Sequence, residues 1–382
     1  RTAPTSKTLA PVIALLKDED SEVRAQSARV LGDAHCEPAA NAIAKLLADD
    51  TPRVRFFAAL ASGALRSRDT GDLVISMLRE NDGKDRYLTH AGVVALEKIG
   101  DREFVQQWAG DKSAAVRMAV LLVQRRWSDP RIAQFLNDAR LEIVTEAARA
   151  INDLPLATGR EKLANLAERF KNASGENVVP LMRRIINANL QLGSRVNLEA
   201  VIGIATSGKQ PAVIRTEAVS ALLSWQGPTK RDRVTGFWQP IAARDPSTVR
   251  DVVQNSASKL LSTAPKNLLV DVTKLLTALD VKTDDHAFAA WVADSNRSSD
   301  VRIAALRLLE NRKYGNLSEI IDTLLVTDNA ELRAEARDLL ASRDESRATS
   351  IFSKLLDDQN SEVTEKQRAI ASLARSKSPA AS

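Results

Sequence analysis

The side chains that most often carry catalysis or bind metals are few and scattered in this sequence. Its three histidines, His35, His90 and His286, lie far apart, and none has a partner at the spacing of a metal site. The single cysteine, Cys36, excludes an internal disulfide and any cysteine-rich metal centre. No glycine-rich phosphate loop, nucleophile elbow or dinucleotide-binding turn is present. The sequence therefore predicts no catalytic residue, no bound metal and no cofactor.

One segment does combine side chains that are suited to binding. Trp225 and Trp238 enclose a polar stretch, interrupted by glycine and proline, that holds a small basic cluster. Loops on a rigid scaffold often carry binding residues. We therefore take these side chains as binding candidates: Trp225, Lys230, Arg231, Arg233, Phe237 and Trp238. The alternative is a long turn between repeats whose aromatic rings pack into a neighbouring groove. The other tryptophans, Trp108, Trp127 and Trp291, lie in apolar helical contexts and are expected in the core.

A second polar pattern accompanies an apolar anchor that recurs along the chain. An Asp stands five residues before several anchors, and an Arg stands one residue after most of them. The guanidinium group of such an Arg can form two parallel hydrogen bonds with a carboxylate of its own or the next repeat. We expect a structural ladder rather than an arginine row for phosphates, because each Arg is accompanied by an acid. The ladder residues are Asp18, Arg24, Asp49, Arg55, Asp111, Arg117, Arg215, Arg250, Arg302 and Arg333.

The anchors themselves define the elements that position these residues. The dipeptide Val23-Arg24 returns as Val54-Arg55, and with weaker copies we count eleven anchors. Each unit combines a short first helix, a turn and a longer second helix with apolar residues at helical spacing. A single helical pair cannot bury its apolar face alone, so the pairs must stack. The sequence therefore predicts an all-α fold, a right-handed α-solenoid of about eleven short HEAT-like helix-turn-helix repeats.

The spacing of the anchors also suggests a division of the chain. Residues 1–262 would hold repeats 1 to 8, residues 263–298 an extra helix (near 268–279) and an irregular repeat, and residues 299–382 repeats 9 to 11 with a C-terminal tail. Gly32, Gly100 and Gly193 are expected to end second helices in the left-handed conformation. Because the chain opens at Arg1 without a methionine, we expect it to be a piece of a longer protein.

The composition narrows the classes of partner. The 54 basic and 49 acidic residues give a net charge of +5, and basic residues never run beyond two in succession. This is a mixed, solvated surface and not the basic stripe of a nucleic-acid binder. No apolar run approaches the roughly 18 residues that a membrane span requires, so we expect no membrane span.

Three stretches of the sequence resemble a known family. They are residues 129–138 with 146–155, residues 181–193, and residues 231–240. Over about residues 81–244 they resemble the HEAT region of the PVC-type haem-binding, membrane-bound dehydrogenase-like proteins of planctomycete and verrucomicrobial bacteria. The resemblance implies a periplasmic or otherwise extracytoplasmic spacer between a dehydrogenase-like propeller and a cytochrome c-like domain. The chain itself cannot hold a c-type haem covalently, because it has no Cys-x-x-Cys-His motif.

These observations favour one function and leave two alternatives. We expect a non-catalytic scaffold for protein–protein or interdomain docking, with second helices lining its concave face. The first alternative, a nucleic-acid binder, is permitted by the sequence pI of about 9.3 but needs basic residues without acidic partners along that face. The second, an enzyme related to lyase or glycosylase-type HEAT-like proteins, needs an isolated buried carboxylate in an aromatic-lined cleft.

Overall fold

The computed structural model describes residues 6–154, 156–282, 284–359 and 361–374. Within these ranges the chain forms 22 α-helices, several short 3₁₀ helices and one two-stranded hairpin. The all-α solenoid predicted from the repeat pattern is confirmed, and the hairpin is the departure from it. The C-terminal tail expected within residues 299–382 falls on 375–382, which lie outside the described residues. None of the described helices is long and apolar enough to cross a membrane.

Two compact units make up the chain, Arg1–Leu166 and Ala167–Ser382. The boundary in the sequence follows Leu166, whereas the spacing of the anchors suggested divisions at residues 262 and 298. The first unit contains α1 (Ser6–Ala14), α2 (Ser21–Asp33), α3 (Ala40–Lys45), α4 (Pro52–Ala64), α5 (Gly71–Asn81), α6 (Arg86–Ile99), α7 (Arg102–Gln107), α8 (Ala114–Arg126), α9 (Leu141–Asp153) and α10 (Ala157–Ala164). It also contains short 3₁₀ helices at Leu15–Lys17, Glu37–Ala39, Leu46–Ala48, Arg68–Thr70 and Pro130–Asn137.

The short helix α11 (Leu166–Phe170) begins at the boundary, and the other elements belong to the second unit. They are the 3₁₀ helix Glu176–Val178, α12 (Val179–Leu192), α13 (Arg195–Ala205), α14 (Ala212–Leu223), β1 (Thr229–Arg231), β2 (Trp238–Ile241), α15 (Pro246–Thr263), α16 (Lys266–Ala278), α17 (Asp285–Ala293), α18 (Ser299–Asn311), α19 (Leu317–Leu324), α20 (Ala330–Arg343), α21 (Glu345–Asp357) and α22 (Val363–Leu373).

Second helices pack side by side within each unit. In the first unit α4 lies between α2 and α6, and α8 packs against α6 and α9. In the second unit α14 lies between α12 and α16, and α18 lies between α16 and α20. Apolar side chains such as Val54, Leu96 and Leu222 are fully or almost fully buried between the layers of helices. Each pair therefore depends on its neighbours for its core, as the repeat pattern predicted.

Helix α16 is a regular member of this layer, although the spacing suggested an extra helix near residues 268–279. It packs against α14 and α18 as a second helix does, whereas α15 packs against α13, the first helix of the preceding pair. Val249 and Arg250 therefore begin a first helix. Within the described residues there are eleven second helices: α2, α4, α6, α8, α9, α12, α14, α16, α18, α20 and α22. The anchor could not distinguish the two kinds of helix, because Val249 in a first helix and Val54 in a second helix are equally buried.

Glycine allows three second helices of the first unit to approach one another closely. A Cβ atom added at Gly32 of α2 would lie 2.8 Å from Cα of Ala61 in α4. One added at Gly63 of α4 would lie 2.8 Å from Cα of Ala95 in α6. Real Cβ atoms essentially never come that close to another atom, so α2, α4 and α6 require glycine at these two points.

The glycines expected to end second helices behave in two ways. Gly100 and Gly193 follow α6 and α12 with φ of 77° and 71°, as predicted. Gly32 differs, because it lies inside α2, where it provides the close approach to α4. The left-handed residue after α2 is instead His35, with φ of 50°. The expectation failed at Gly32 because small size, rather than a left-handed conformation, is what this position requires.

The hairpin between α14 and α15 has two short antiparallel strands. Thr229 lies opposite Ile241, and Arg231 lies opposite Trp238, with an irregularity in the register between the two pairs. Side chains that lie directly opposite each other in an antiparallel pair share a face of the sheet. Arg231 and Trp238 are therefore neighbours on one face of the hairpin.

Candidate functional site

A buried carboxylate fixes the turn of the hairpin to α12. Asp232 is 2% exposed and accepts a hydrogen bond from Nδ2 of Asn187 at 2.6 Å. Its Oδ1 atom accepts from the backbone N–H groups of Val234 and Thr235 and from the hydroxyl group of Thr235. A buried carboxylate must be fully hydrogen-bonded. Asp232 finds its donors both in the turn and on α12, so it organises the turn and joins it to a second helix.

An arginine of the same turn fastens the hairpin to α14. Nη2 of Arg233 donates to Oε1 of Glu217 at 3.1 Å and to Oγ of Ser220 at 2.7 Å. Its Nη1 donates to Oγ of Ser224 at 2.9 Å. Arg183 of α12 approaches the other oxygen of Glu217 at 3.5 Å. Arg233, a binding candidate from the sequence, is therefore engaged within the chain.

A second arginine closes the base of the hairpin. Nη2 of Arg244 donates to the carbonyl oxygens of Leu190 and Gln191 at 2.6 and 3.2 Å, and Nη1 donates to that of Trp225 at 3.3 Å. The guanidinium group lies over the buried Trp225 ring, 5.6 Å from its centroid, and burial lowers the pKa of Arg244. Gly193 makes room for it, since an added Cβ would lie 2.2 Å from Cζ of Arg244. Arg244 thus supplies donors to carbonyl groups that the end of α12 leaves unpaired.

The outer face of the hairpin carries the other candidates. Phe237 and Trp238 are 67% and 68% exposed, and Lys230 and Arg231 are also exposed. Nη1 of Arg231 donates to the carbonyl group of Gly236 at 2.9 Å. In the described part of the chain, no carboxylate forms an ion pair with either cation. Arg231 and Trp238 share one face of the hairpin, and Lys230 and Phe237 are exposed next to them in the sequence. We call these four exposed basic and aromatic side chains the hairpin face.

The sequence candidates thus divide into an inner and an outer group. Trp225 and Arg233 are structural residues, in line with the alternative that the aromatics pack into the neighbouring groove, and the remaining four are presented to solvent. Sequence reasoning missed the anchors Asn187, Glu217 and Arg244. A polar Asn on the apolar side of α12 was the available signal, because a buried amide requires a partner.

Two arginines of the predicted ladder bind the acid of the next repeat. Nε and Nη2 of Arg24 donate to Asp49 at 2.9 and 3.0 Å, and the same atoms of Arg117 donate to Asp138 at 2.7 and 3.0 Å. Nη1 of each Arg donates to backbone carbonyl groups of its own turn. Burial, the largest single influence, would raise the pKa of Asp49 and of Asp138. The arginines and the backbone N–H donors together outweigh it, so each pKa is lowered.

Three other ladder residues lie near the expected contacts but use different atoms or partners. Asp111 accepts from Nη2 of Arg79, in the first helix α5, at 2.8 Å. Asp18 accepts from the backbone N–H of Asp20 at 2.9 Å. Arg55 donates to backbone carbonyl groups of its own turn. These residues brace the turns between helices, although not through the paired carboxylate geometry.

In the second unit the expected acid is replaced by other acceptors. Arg333 donates to both oxygens of Glu365, at 3.0 and 3.2 Å. In the remaining three arginines, Nε donates at 2.8 Å to a carbonyl group near the end of a helix: Arg215 to Ala205, Arg250 to Leu279 and Arg302 to Val292. These three arginines therefore bind backbone carbonyl groups and do not form the expected pairs with carboxylates. The reason is that the partner acids of the first unit stand five residues before the next anchor along the chain. Before the anchors that follow these three arginines, the sequence has Arg244, Asn296 and Thr327.

The buried carboxylates of the described residues all have polar partners. They are Asp129, Asp232, Glu335 and Glu365. Burial, the largest single influence, would raise the pKa of Glu335, but the hydrogen bonds and positive charges of Arg307 and Arg368 together outweigh it, so the pKa is lowered. A carboxyl group with a lowered pKa is ionised near neutral pH and is a poor general acid. The isolated buried carboxylate that the enzyme hypothesis requires is not among these residues.

The histidines and the cysteine are the remaining side chains singled out by their chemistry. His35, His90 and His286 are exposed, Cys36 is buried, and no cluster of His, Cys, Asp or Glu within the described ranges could hold a metal ion. The tryptophans expected in the core are half-buried instead. Each ring faces a guanidinium group: Trp108 that of Arg79, Trp127 that of Arg102 and Trp291 that of Arg297. An indole ring that is only partly covered can still gain attraction from a cation over its face.

Two open grooves run along the second helices. In the second unit a groove of about 560 Å³ is lined by α16, α18, α20 and α22, and Lys274, Arg307 and Glu335 lie on its walls. In the first unit a groove of about 570 Å³ has walls from α6 and α8, with His90 and Arg125 among its lining residues. Both grooves have mixed polar and apolar walls, which is typical of protein-binding surfaces.

Comparisons with known proteins agree with this architecture. Residues 9–97 match the family described as HEAT repeats, so this part of the chain is a HEAT-repeat region. No curated protein matches the sequence. Among solved structures, Kap121p bound to Ste12p is similar to the chain with a TM-score of 0.53 and 10% identity over 96% of this chain and 44% of that one. At this identity the similarity concerns the fold alone.

Two further solved structures are more distant in shape. Importin beta has a TM-score of 0.48 with 14% identity, over 96% of this chain and 59% of that one. The complex of CpcE and CpcF of phycocyanin lyase from Nostoc sp. PCC7120 has a TM-score of 0.30 with 19% identity, over 67% of this chain and 96% of that one. Fold and family match together define an all-α solenoid that contains a HEAT-repeat region.

Proposed function

We propose that this chain is a non-catalytic scaffold that binds other proteins along its second helices. The most direct support is that one set of side chains holds the repeats together while the grooves beside the second helices stay open. Arginines and acids such as Arg117 and Asp138 hold neighbouring repeats together, while the side-by-side second helices leave open grooves. Stacked helical repeats typically use such extended surfaces to bind partners.

For the setting, we propose that the scaffold belongs to a larger extracytoplasmic protein, beside a dehydrogenase-like propeller and a cytochrome c-like domain. The support is the resemblance carried by residues 129–138 with 146–155, 181–193 and 231–240. The last two stretches contact each other through Asn187 and Asp232, so the sequences that carry the resemblance are neighbours in the fold. A nucleic-acid role has less support, because most arginines of the second helices are bound to acids or to backbone carbonyl groups.

Site-specific photo-crosslinking tests the scaffold proposal. A photoreactive phenylalanine analogue is placed at Lys274, whose side chain is 64% exposed beside the groove of the second unit. The matched control carries it at Val196, which is 72% exposed on the first helix α13. We expect protein adducts in the native source from position 274 and few from position 196.

The outcomes separate the parts of the proposal. Equal yields from the two positions, or adducts only with nucleic acid, would contradict docking along the second helices. Adducts with a cytochrome or a dehydrogenase-like protein support the proposed setting. If adducts form preferentially from position 274 but with proteins of other classes, the scaffold function is supported and the proposed setting is contradicted.

A further inference from the structure

We infer that the hairpin face binds an acidic protein segment that carries a large apolar side chain; this rests on the proposed scaffold function and specifies one of its partners. The hairpin face consists of Lys230, Arg231, Phe237 and Trp238. Three observations support the inference: the hairpin is held rigidly, its aromatic rings are exposed, and its free charge is positive.

The hairpin is fixed to the second helices at three separate points. Asp232 joins its turn to α12, Arg233 joins the same turn to α14, and Arg244 ties its base to the end of α12. All three contacts involve side chains that are buried or half-buried. A surface that is already ordered loses little conformational entropy when it binds, so such anchoring favours recognition.

The exposed rings are unusual for their size and position. Phe237 and Trp238 are adjacent in sequence and each is about two-thirds exposed, whereas Trp225 at the base of the hairpin is buried. Within the described residues neither exposed ring stacks on another ring or lies under a cation. Tryptophan and arginine are the residues most enriched among the energetically dominant contacts of protein interfaces. Trp238 stands directly opposite Arg231 in the hairpin, so the two can serve one binding surface.

The charge of the hairpin indicates the chemistry of the partner. Residues 226–244 contain four basic side chains and one acidic side chain, a net charge of 4 − 1 = +3. Arg233 is paired with Glu217, whereas Lys230 and Arg231 have no carboxylate partner among the residues that the structure describes. Unpaired cations beside apolar rings complement an acidic segment with an apolar anchor. Two such cations are too few for tight nucleic-acid binding, which commonly neutralises about six to ten phosphates.

A peptide selection tests this inference on the full chain. A random 12-residue peptide library displayed on phage is panned against the wild-type protein, with counter-selection on a Phe237→Ala/Trp238→Ala variant. We expect the enriched peptides to be acidic and to share an aromatic or large aliphatic residue. Their affinity should fall about tenfold or more in this variant and in Lys230→Glu/Arg231→Glu.

The first unit supplies matched controls. Tyr87 is 60% exposed, and the guanidinium group of Arg86 lies 5.2 Å from its ring centroid. The variants Tyr87→Ala and Lys84→Glu/Arg86→Glu should leave the affinity of the selected peptides unchanged. Circular dichroism spectra and melting temperatures establish that all variants are folded.

Several outcomes would overturn the inference. The first is that the enriched peptides bind the wild type and Phe237→Ala/Trp238→Ala with affinities within about twofold of each other. The second is that the enriched peptides are neutral or basic. A third is binding of a 12-nucleotide oligo-dT that depends on Trp238 and is tighter than that of any selected peptide, which would identify a single-stranded nucleic-acid surface. If preferential crosslinking from position 274 persists in any of these cases, the scaffold function stands and only the hairpin assignment fails.

Discussion

The contact between Arg244 and Gly193 allows a quantitative test of how the hairpin is held. Gly193 has φ of 71°, and a Cβ atom at this position would lie within 2.2–2.4 Å of three guanidinium atoms of Arg244. Gly193→Ala therefore has two effects, strain in the left-handed backbone and expulsion of the guanidinium group. Arg244→Ala removes the same hydrogen bonds by deletion. The two substitutions should not be additive.

The magnitudes follow from the contacts. Arg244 donates to three carbonyl oxygens, one of them at a marginal 3.3 Å, so its removal should cost about 2–3 kcal/mol. Left-handed strain at alanine adds about 1 kcal/mol, so Gly193→Ala alone should cost about 3–4 kcal/mol. In the Arg244→Ala background only the strain remains, about 1 kcal/mol. The coupling energy between the two sites is therefore about 2–3 kcal/mol.

Native-state hydrogen exchange is the appropriate assay, because a chain with two compact units need not unfold in one transition. Peptides that cover residues 187–194 and 224–245 report the opening of the end of α12 and of the hairpin base. Gly193→Ala should accelerate their exchange by about a hundredfold or more in the wild type, and by about fivefold in Arg244→Ala, since about 1.4 kcal/mol corresponds to a tenfold change. Equal acceleration in both backgrounds would refute the contact and its proposed role.

Three further predictions concern the scaffold. Leu275→Ala, at a fully buried position of α16, should lower the free energy of opening of its unit by about 3 kcal/mol in native-state hydrogen exchange; a loss below about 1 kcal/mol would contradict the regular packing of α16. Arg117→Lys cannot keep both hydrogen bonds to Asp138 and should cost about 1 kcal/mol in the same assay, with exposed Lys112→Arg as the neutral control. Because the folded-state pKa of Glu335 is lowered, its contribution to stability is present above its ordinary value of 4.5 and is lost as the pH falls through the folded-state pKa. The melting temperature should therefore decline in acid, and less steeply in Glu335→Gln; parallel profiles would contradict the role of this carboxylate.

Much of the fold was predictable because the repeats are locally encoded. Apolar residues at helical spacing determine where helices form, and the need to bury their apolar faces determines that the pairs stack. The role of α15 and α16 was not predictable in the same way. An apolar residue followed by Arg begins both kinds of helix, and only packing against α13 or against α14 distinguishes them.

The site was predictable in its location but not in its division of roles. Trp225 and Trp238 are the same residue type, thirteen positions apart, yet one is buried and the other is 68% exposed. What separates them is the attachment of the turn to α12, which depends on a hydrogen bond between Asp232 and Asn187, 45 residues away. Contacts over such a distance leave no periodic pattern, so local reasoning could identify the segment without showing which side chains it presents.

The two glycine–alanine contacts of the first unit have a mechanical consequence. Helices that touch through long side chains can slide, because a change of rotamer absorbs small displacements. At Gly32 with Ala61, and at Gly63 with Ala95, a glycine with no side chain lies directly against the neighbouring backbone, so no rotamer is available to yield. Bending the layer of α2, α4 and α6 must then compress one main chain against another. A protein docked across these three helices therefore meets binding positions of fixed spacing, and the partner must adapt to the scaffold.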